Sequence, residues 1–142
     1  MEVRPFRETD RGELVALWHD CGLVRPWNDV DHDIDRKLAH DAAHLLVAVH
    51  EDVVVGSVMV GYDGHRGWLN YLAVRPGRRG EGLGRLLVAE AESRLVRLGC
   101  AKVNLQVRHG NDDAIDFYRR IGYTIDEVVG MGRRLIDDRD RP

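Results

Sequence analysis

The sequence of 142 residues predicts an α/β fold of the α+β kind, with a central mixed, mostly antiparallel sheet of six to seven strands and about four helices on both faces. Valine-rich apolar runs separated by short turns fill residues 45–74, as in an antiparallel meander. Leucines recur at helical spacing over residues 83–98. Strand-like and helix-like segments alternate elsewhere, which indicates one layered domain.

The first third of the chain predicts a strand, a helix, a loop and a second helix. Residues 3–6 start as a short strand. Asp10, followed three residues later by Glu13, is typical of a capping box and predicts a helix that ends near residue 21. Residues 22–31 form a loop broken by proline, and residues 34–43 have helical spacing.

The middle and end of the chain supply the remaining elements. Three strands are predicted over residues 45–49, 53–62 and 68–74, with turn residues between them. The leucine-striped helix that follows should stop at Gly99, a good C-terminal cap. After it we expect a strand over 102–107, a short helix over 112–120 and two closing strands within 123–136.

Composition narrows the class of protein. The chain is 44% hydrophobic and 32% charged with a net charge of −3, and no basic block indicates a nucleic-acid partner. The longest uncharged apolar run, 53–62, is about half of what a membrane span needs. The first residues do not resemble a secretion signal, so we expect a cytoplasmic protein. We expect one domain over 1–136, a charged C-terminal tail over 137–142 that frays, and two reduced cysteines without chemistry.

A corner rich in glycine and arginine lies between the third meander strand and the long helix. Residues 74–87 hold four glycines and four arginines. Glycines let a backbone approach a ligand, and the free amides of a helix start attract anions such as a diphosphate, to which Arg79 and Arg85 would add charged hydrogen bonds. A tight turn with solvated arginines is the alternative. A P-loop is excluded because no Gly-Lys-Ser/Thr triplet exists, and the dinucleotide fingerprint fits neither glycine frame.

Two motifs in order carry a resemblance to a known family. The first is Arg79-x-x-Gly82-x-Gly84, and the second is Asn111-x-x-Ala114-x-x-x-Tyr118, which Gly122-Tyr123 follows. With the predicted order of elements, they resemble the GNAT superfamily of acyl-CoA-dependent N-acetyltransferases from end to end. The stretches at 21–29 and 61–67 resemble its small bacterial YpeA-like subgroup.

The resemblance implies where the acyl donor, acetyl-CoA, would bind. The backbone of the strand end would pair with the pantetheine arm beside a splayed gap. Amides of the corner, here called the glycine corner (residues 79–85), would hold the diphosphate, and Asn111 and Tyr118 would contact the pantetheine side. The implied cofactor-binding residues are Leu72, Ala73, Val74, Arg79, Gly80, Glu81, Gly82, Leu83, Gly84, Arg85, Asn111 and Tyr118.

Tyr118 is the predicted general acid. Acyl transfer from a thioester releases a thiolate, and a phenol with a pKa of about 10 can protonate it. The alternative is an aromatic side chain that packs on the buried face of a short helix, a position for which its neighbour Phe117 competes.

The general base is where the sequence departs from the family pattern. Positions that often hold glutamate in the family are Asn70 and Gln106 here, and amides cannot take a proton. Among Asp63, His65 and His109, His65 is slightly preferred as a catalytic base because imidazole titrates near neutrality, although each also fits a solvated turn. An acceptor amine of low pKa would need less help, since deprotonation at pH 7 costs about 1 kcal/mol for an α-amine and about 4.6 for a lysine.

The acceptor side is less defined. Trp27 either walls the acceptor pocket or anchors its loop on the core, and with Asn70 and Gln106 it completes the predicted substrate-binding set. His40 and His44 have the spacing of a zinc helix but lack further ligands, so no metal is expected. We expect an N-acetyltransferase that joins acetyl-CoA and a primary amine, small molecule or protein N-terminus, in a ternary complex. A non-catalytic acyl-CoA-binding module is the alternative, and a homodimer is a further expectation.

Overall fold

The computed structural model describes residues 1–140. Nine helices and strands follow one another in it: β1 (Glu2–Pro5), α1 (Arg11–Asp20), α2 (Val30–Asp41), β2 (Leu45–His50), β3 (Val53–Tyr62), β4 (Gly67–Val74), α3 (Leu83–Arg97), β5 (Val103–Leu105) and α4 (Asp112–Arg120). The strands form one sheet in the order β1-β2-β3-β4-β5. Every neighbouring pair is antiparallel except β4 and β5, which run parallel.

The sheet is covered on both faces, which explains why its inner strands are apolar without interruption. In β2, Leu45 and Val47 pack with α1 and α2, while Leu46 and Ala48 pack with α3. A strand buried on both faces gains from apolar side chains at every position. The two core layers are built from Leu14, Trp18, Ile34 and Val54 on the first face, and from Val58, Leu87, Ala91 and Leu95 on the second.

The sheet has five strands in residues 1–140, so the prediction of six to seven is wrong. The segment after α4, residues 124–136, contains no strand. Gly130 and Gly132 lower its strand propensity. Its apolar side chains stay outside the core, with Val128 77%, Val129 89% and Met131 95% exposed. The prediction of two closing strands therefore fails in this region.

The predicted capping box at the start of α1 is also wrong. The Asp10 carboxylate accepts two hydrogen bonds from Arg4, at 2.8 and 3.0 Å, and one from the Arg7 amide at 2.8 Å. The Glu13 carboxylate accepts from the Val54 amide at 2.7 Å and ties α1 to β3. Asp10 therefore caps the 3-10 turn before α1 rather than α1 itself, and Glu13 serves a tertiary contact for which a local pattern gives no signal.

The predicted tail is partly held in place. Asp138 is buried and accepts hydrogen bonds from the Arg36 guanidinium of α2, and His32 lies 3.5 Å from the same carboxylate. The expectation that residues 137–140 fray is therefore wrong at Asp138, because a charge pair fixes it to α2. Residues 141 and 142 lie outside the described residues. No helix in residues 1–140 is long and apolar enough to cross a bilayer.

Candidate active site

An extra residue in β4 bends the strand at the place where a ligand could enter the sheet. Ser57 pairs with Ala73 and Met59 with Asn70, so two steps along β3 match three along β4. The backbone of Tyr71, within this bulge, has a φ of 52°. A bulky residue in the left-handed region is strained and persists only where its surroundings hold it.

Three contacts hold Tyr71 in that conformation. The Trp18 ring stacks on the Tyr71 ring with centroids 3.8 Å apart and planes 13° apart. The buried Ser57 hydroxyl donates to the Tyr71 carbonyl at 2.8 Å and accepts from the Trp18 indole N–H at 2.9 Å. The Tyr71 hydroxyl donates to the Asp33 carboxylate at 2.6 Å, and burial raises the pKa of this phenol. The bulge is thus fixed from the ring, the backbone and the hydroxyl.

The parallel strands β4 and β5 separate just past their pairing. Gly67 to Leu69 pair with Val103 to Leu105, and the rest of β4 has no pairing with β5. A cavity of about 1620 Å³ opens at this separation. It brings together six of the residues predicted from the sequence, which are Trp27, Asn70, Leu72, Gln106, Asn111 and Tyr118.

The glycine corner leaves its backbone open to solvent. Gly80 and Gly82 have φ values of 86° and 80°, and a Cβ built on either would meet no atom within 4 Å. The amides that open α3 have no partner inside the helix. Arg79 and Arg85 are exposed and make no ion pair with residues 1–140, whereas the Glu81 carboxylate accepts from Arg78 at 2.8 Å. Open amides and two unpaired guanidinium groups suit an anion.

Gly84 has a different role from the other corner glycines. A Cβ at this position would lie 3.1 Å from Cζ of Phe117 and 3.8 Å from the Val74 side chain. The absence of a side chain at Gly84 therefore lets α4 pack closely on the start of α3.

Tyr118 lies half-buried on α4 among other aromatic rings. Its ring meets Phe117 edge-on at 5.1 Å between centroids and Tyr123 at 5.6 Å. Burial raises the pKa of Tyr118 to about 12. Its hydroxyl makes no hydrogen bond with residues 1–140, so its proton is available to a ligand in the cavity.

The polar residues predicted for the site differ in their placement. Asn70 and Gln106 are exposed on the two separating strands. The Asn111 side-chain oxygen accepts from the Ala114 amide at 3.3 Å and caps α4, which leaves its amide N–H groups as donors. His65 is exposed in the β3–β4 hairpin, where its amide donates to Asp63 at 2.8 Å, and it does not line the cavity.

The acceptor side of the cavity is formed by α2, the loop before it and the chain after β5. Trp27 is 41% exposed, and the Arg108 guanidinium carbon lies 5.9 Å from its ring centroid. Lys37 of α2 is buried, donates to the Val60 carbonyl, and has its pKa lowered by burial. His40 is the histidine that lines the cavity within residues 1–140.

Sequence reasoning missed the residues that shape the bulge. Tyr71 lies between Asn70, predicted to bind substrate, and Leu72, predicted to contact the cofactor, and looks like an ordinary strand position. Ser57 looks like a polar interruption of an apolar run. A serine within the otherwise apolar β3 was the available signal, because a buried hydroxyl requires partners.

The model of the acetyltransferase (GNAT) family matches residues 8–123. An acetyltransferase of Sodalis glossinidius (strain morsitans) is 48% identical over 141 residues, covering 99% of each chain. An acetyltransferase of Yersinia enterocolitica is 45% identical over 140 residues, again with 99% of each chain covered.

Among solved structures, AAC(6')-Iy in complex with a bisubstrate analogue, CoA-S-monomethyl-acetylneamine, is similar with a TM-score of 0.74 at 19% identity, covering 94% of this chain and 97% of that one. This chain therefore shares its fold with a protein whose structure contains such an analogue.

Proposed function

The chain belongs to the GNAT acetyltransferase family, and we propose that it transfers the acetyl group of acetyl-CoA to a primary amine by direct attack within a ternary complex. The observation that carries the proposal is the separation of β4 and β5, which opens a single cavity reaching from Trp27 to Leu72 and Tyr118. Thioester and amine can therefore meet without an acylated side chain.

The cofactor would lie along β4 and the glycine corner. Past Leu69, β4 has no strand partner on its β5 side, and backbone groups of Leu72 to Val74 that the pairing with β3 does not use would bond to the pantetheine arm. The open amides between Arg79 and Arg85 would bind the diphosphate. The free N–H groups of Asn111 would reach the arm from α4.

The transfer balances with Tyr118 as proton donor and solvent water as proton acceptor, and Tyr118 regains its proton from solvent afterwards. The amine nitrogen forms a C–N bond to the thioester carbonyl carbon, and the C–S bond breaks. Tyr118 donates its proton to the departing thiolate sulfur. Its pKa of about 12 keeps the phenol protonated at neutral pH. The apolar surroundings that raise this pKa also disfavour a free thiolate, which favours protonation as the C–S bond breaks.

The amine must lose a proton during the transfer. A carboxylate could accept this proton, but the two positions where the family often has glutamate hold side-chain amides here. Asn70 and Gln106 can order a water molecule but cannot accept its proton. An amine of low pKa, such as a peptide α-amine, is therefore the favoured acceptor. The predicted base, His65, precedes the bulge by about six residues, roughly 20 Å along a strand, so the placement of this side chain gives that role no support.

Release of free thiol tests the proposal. Purified protein would be incubated with acetyl-CoA and a panel of amines, and the CoA thiol would be titrated against a no-amine control. We expect amine-dependent thiol and an acetylated amine of matching amount by mass spectrometry. Binding of acetyl-CoA without thiol release from any amine would instead identify an acyl-CoA-binding module.

Three further expectations stay predictions: the YpeA-like subgroup, the cytoplasmic location and the homodimer. The exposed apolar side chains after α4 are consistent with a homodimer, because burial against a second copy would remove them from water. Sedimentation of the purified protein across a range of concentrations tests this expectation.

A further inference from the structure

The charges that line the cavity are unbalanced. Six arginines and lysines line it, against three aspartates and glutamates. Each of the three acids already accepts a hydrogen bond from a neighbour: Asp33 from Tyr71 at 2.6 Å, Glu92 from Tyr123 at 2.8 Å, and Asp126 from Lys102 at 3.0 Å. Two of the acids are also paired with cations, Asp33 with Arg36 and Asp126 with Lys102, so the lining keeps an excess of positive charge.

Several basic groups of the lining lack a partner. The side chains of Arg25, Arg108 and Arg119 make no ion pair or hydrogen bond with residues 1–140, whereas Arg36 is held by Asp138. Arg25 and Arg108 reach the cavity from different loops. Arg108 lies against the ring of Trp27. Trp27 is two residues after Arg25 in the sequence. The acceptor side thus presents two guanidinium groups without an acidic partner in residues 1–140, and one of them lies against an exposed aromatic ring.

We propose that the acceptor is an amine that also carries a carboxylate, which Arg25 and Arg108 bind beside Trp27. This inference rests on the proposed function, since it names the acceptor of the same reaction. A guanidinium group matches a carboxylate with two parallel hydrogen bonds. A polycationic amine meets an excess of like charge in this lining, so amines of that class are poor acceptors.

Two pairs of acceptors test the role of the carboxylate. The first pair is phenylalanine and phenylalaninamide, and the second is a dipeptide amide that begins with aspartate and its asparagine counterpart. Rates are compared per concentration of unprotonated amine, because a carboxylate raises the pKa of a neighbouring amine. The pairs also separate the two sources of the carboxylate, a free amino acid and an acidic peptide. Spermidine represents the polycations. We expect the carboxylate-bearing member of at least one pair to have a kcat/KM at least tenfold above its neutral partner and above spermidine.

Variants assign the preference to the two arginines. Arg25→Ala and Arg108→Ala should each raise the KM of the carboxylate-bearing acceptor about tenfold, with kcat and the KM of acetyl-CoA changed less than twofold. The matched control is Arg97→Ala, on the exposed side of α3 away from the cavity. Raised salt should weaken the preference in the wild type, because it screens exposed charges.

The outcomes separate this inference from the proposed function. Equal use of both members of each pair, a better rate with spermidine, or an unchanged preference in both arginine variants would overturn the inference and leave acetyl transfer intact. Absence of thiol release with any amine would overturn the proposed function. Calorimetry on the CoA-loaded protein then decides the inference separately: we expect the carboxylate member to bind at least tenfold more tightly, and equal affinities would overturn it.

Discussion

Tyr118→Phe removes the proposed proton donor and almost nothing else. The Tyr118 hydroxyl makes no hydrogen bond with residues 1–140, and its ring contacts with Phe117 and Tyr123 do not involve the oxygen. Phenylalanine keeps the same ring in the same place. We therefore expect the free energy of unfolding to change by less than about 0.5 kcal/mol.

The expected loss of turnover follows from the role of the proton. General acid catalysis contributes roughly 100- to 10,000-fold, so kcat should fall at least about 100-fold, which corresponds to about 2.7 kcal/mol of barrier. The KM of acetyl-CoA should change less than about twofold, because the diphosphate and the pantetheine arm have other partners. Because the pKa of Tyr118 is about 12, the phenol is protonated throughout the range from about pH 6 to about pH 9, and the ratio of wild-type to variant rates should stay constant there.

The assay is steady-state thiol release with an acceptor found in the panel, together with thermal unfolding of each protein. Tyr62→Phe is the matched control: it removes a phenol oxygen that donates to the Gly64 carbonyl in the β3–β4 hairpin, outside the cavity. It should retain wild-type turnover. A kcat within threefold of wild type in Tyr118→Phe would assign Tyr118 to packing and refute the acid role.

Gly82→Ala should weaken CoA binding about tenfold by calorimetry. A Cβ meets no protein atom there, but the φ of 80° costs alanine about 1–2 kcal/mol, so the unbound corner relaxes and must be strained again to bind. Gly82→Arg should abolish binding, and normal affinity in both variants would refute the diphosphate assignment. Ser57→Ala leaves the Tyr71 carbonyl and the Trp18 indole N–H unsatisfied, so the free energy of unfolding should fall by about 1–3 kcal/mol in a denaturant titration. The kcat/KM should also fall as the bulge relaxes. Ser93→Ala, on the surface of α3, is the control. Asp138→Asn should lower the free energy of unfolding at pH 7 and not at low pH. The Arg36 guanidinium lowers the pKa of Asp138 from 3.8 to about 2, so the stabilisation is present above pH 3.8 and is lost as pH falls toward 2. A pH-independent difference in the denaturation midpoint would point to packing.

The sequence predicts most of the fold because most elements are defined by local signals. The leucine stripe and its terminal glycine place α3 within one residue of its observed end, and α4 has the predicted bounds of 112–120. The prediction fails where pairing depends on distant partners. Residues 124–136 alternate well enough for strands, but β5 has three residues and offers them little to pair with. The predicted helix 34–43 starts four residues after α2 does, because the cap of α2, Asp29, lies in a proline-broken loop.

The features of the candidate site that depend on local backbone conformation could be predicted from the sequence. The features that depend on side chains from distant parts of the chain could not. Open glycines can be read from a short motif, and Gly80 and Gly82 confirm that local geometry. The support of the bulge cannot be read in this way, because Trp18, Ser57 and Tyr71 come from three elements and meet only in the folded sheet. The same limit applies to Arg25 and Arg108, whose lack of partners is a property of the tertiary structure.

The close contact at Gly84 links the two parts of the candidate site. Phe117 fills the space that a side chain at Gly84 would occupy, and its ring also meets that of Tyr118 edge-on. One side chain therefore connects the start of α3 with the Tyr118 ring. A bulkier residue at position 84 would displace Phe117 and with it shift the proposed proton donor relative to the proposed diphosphate site.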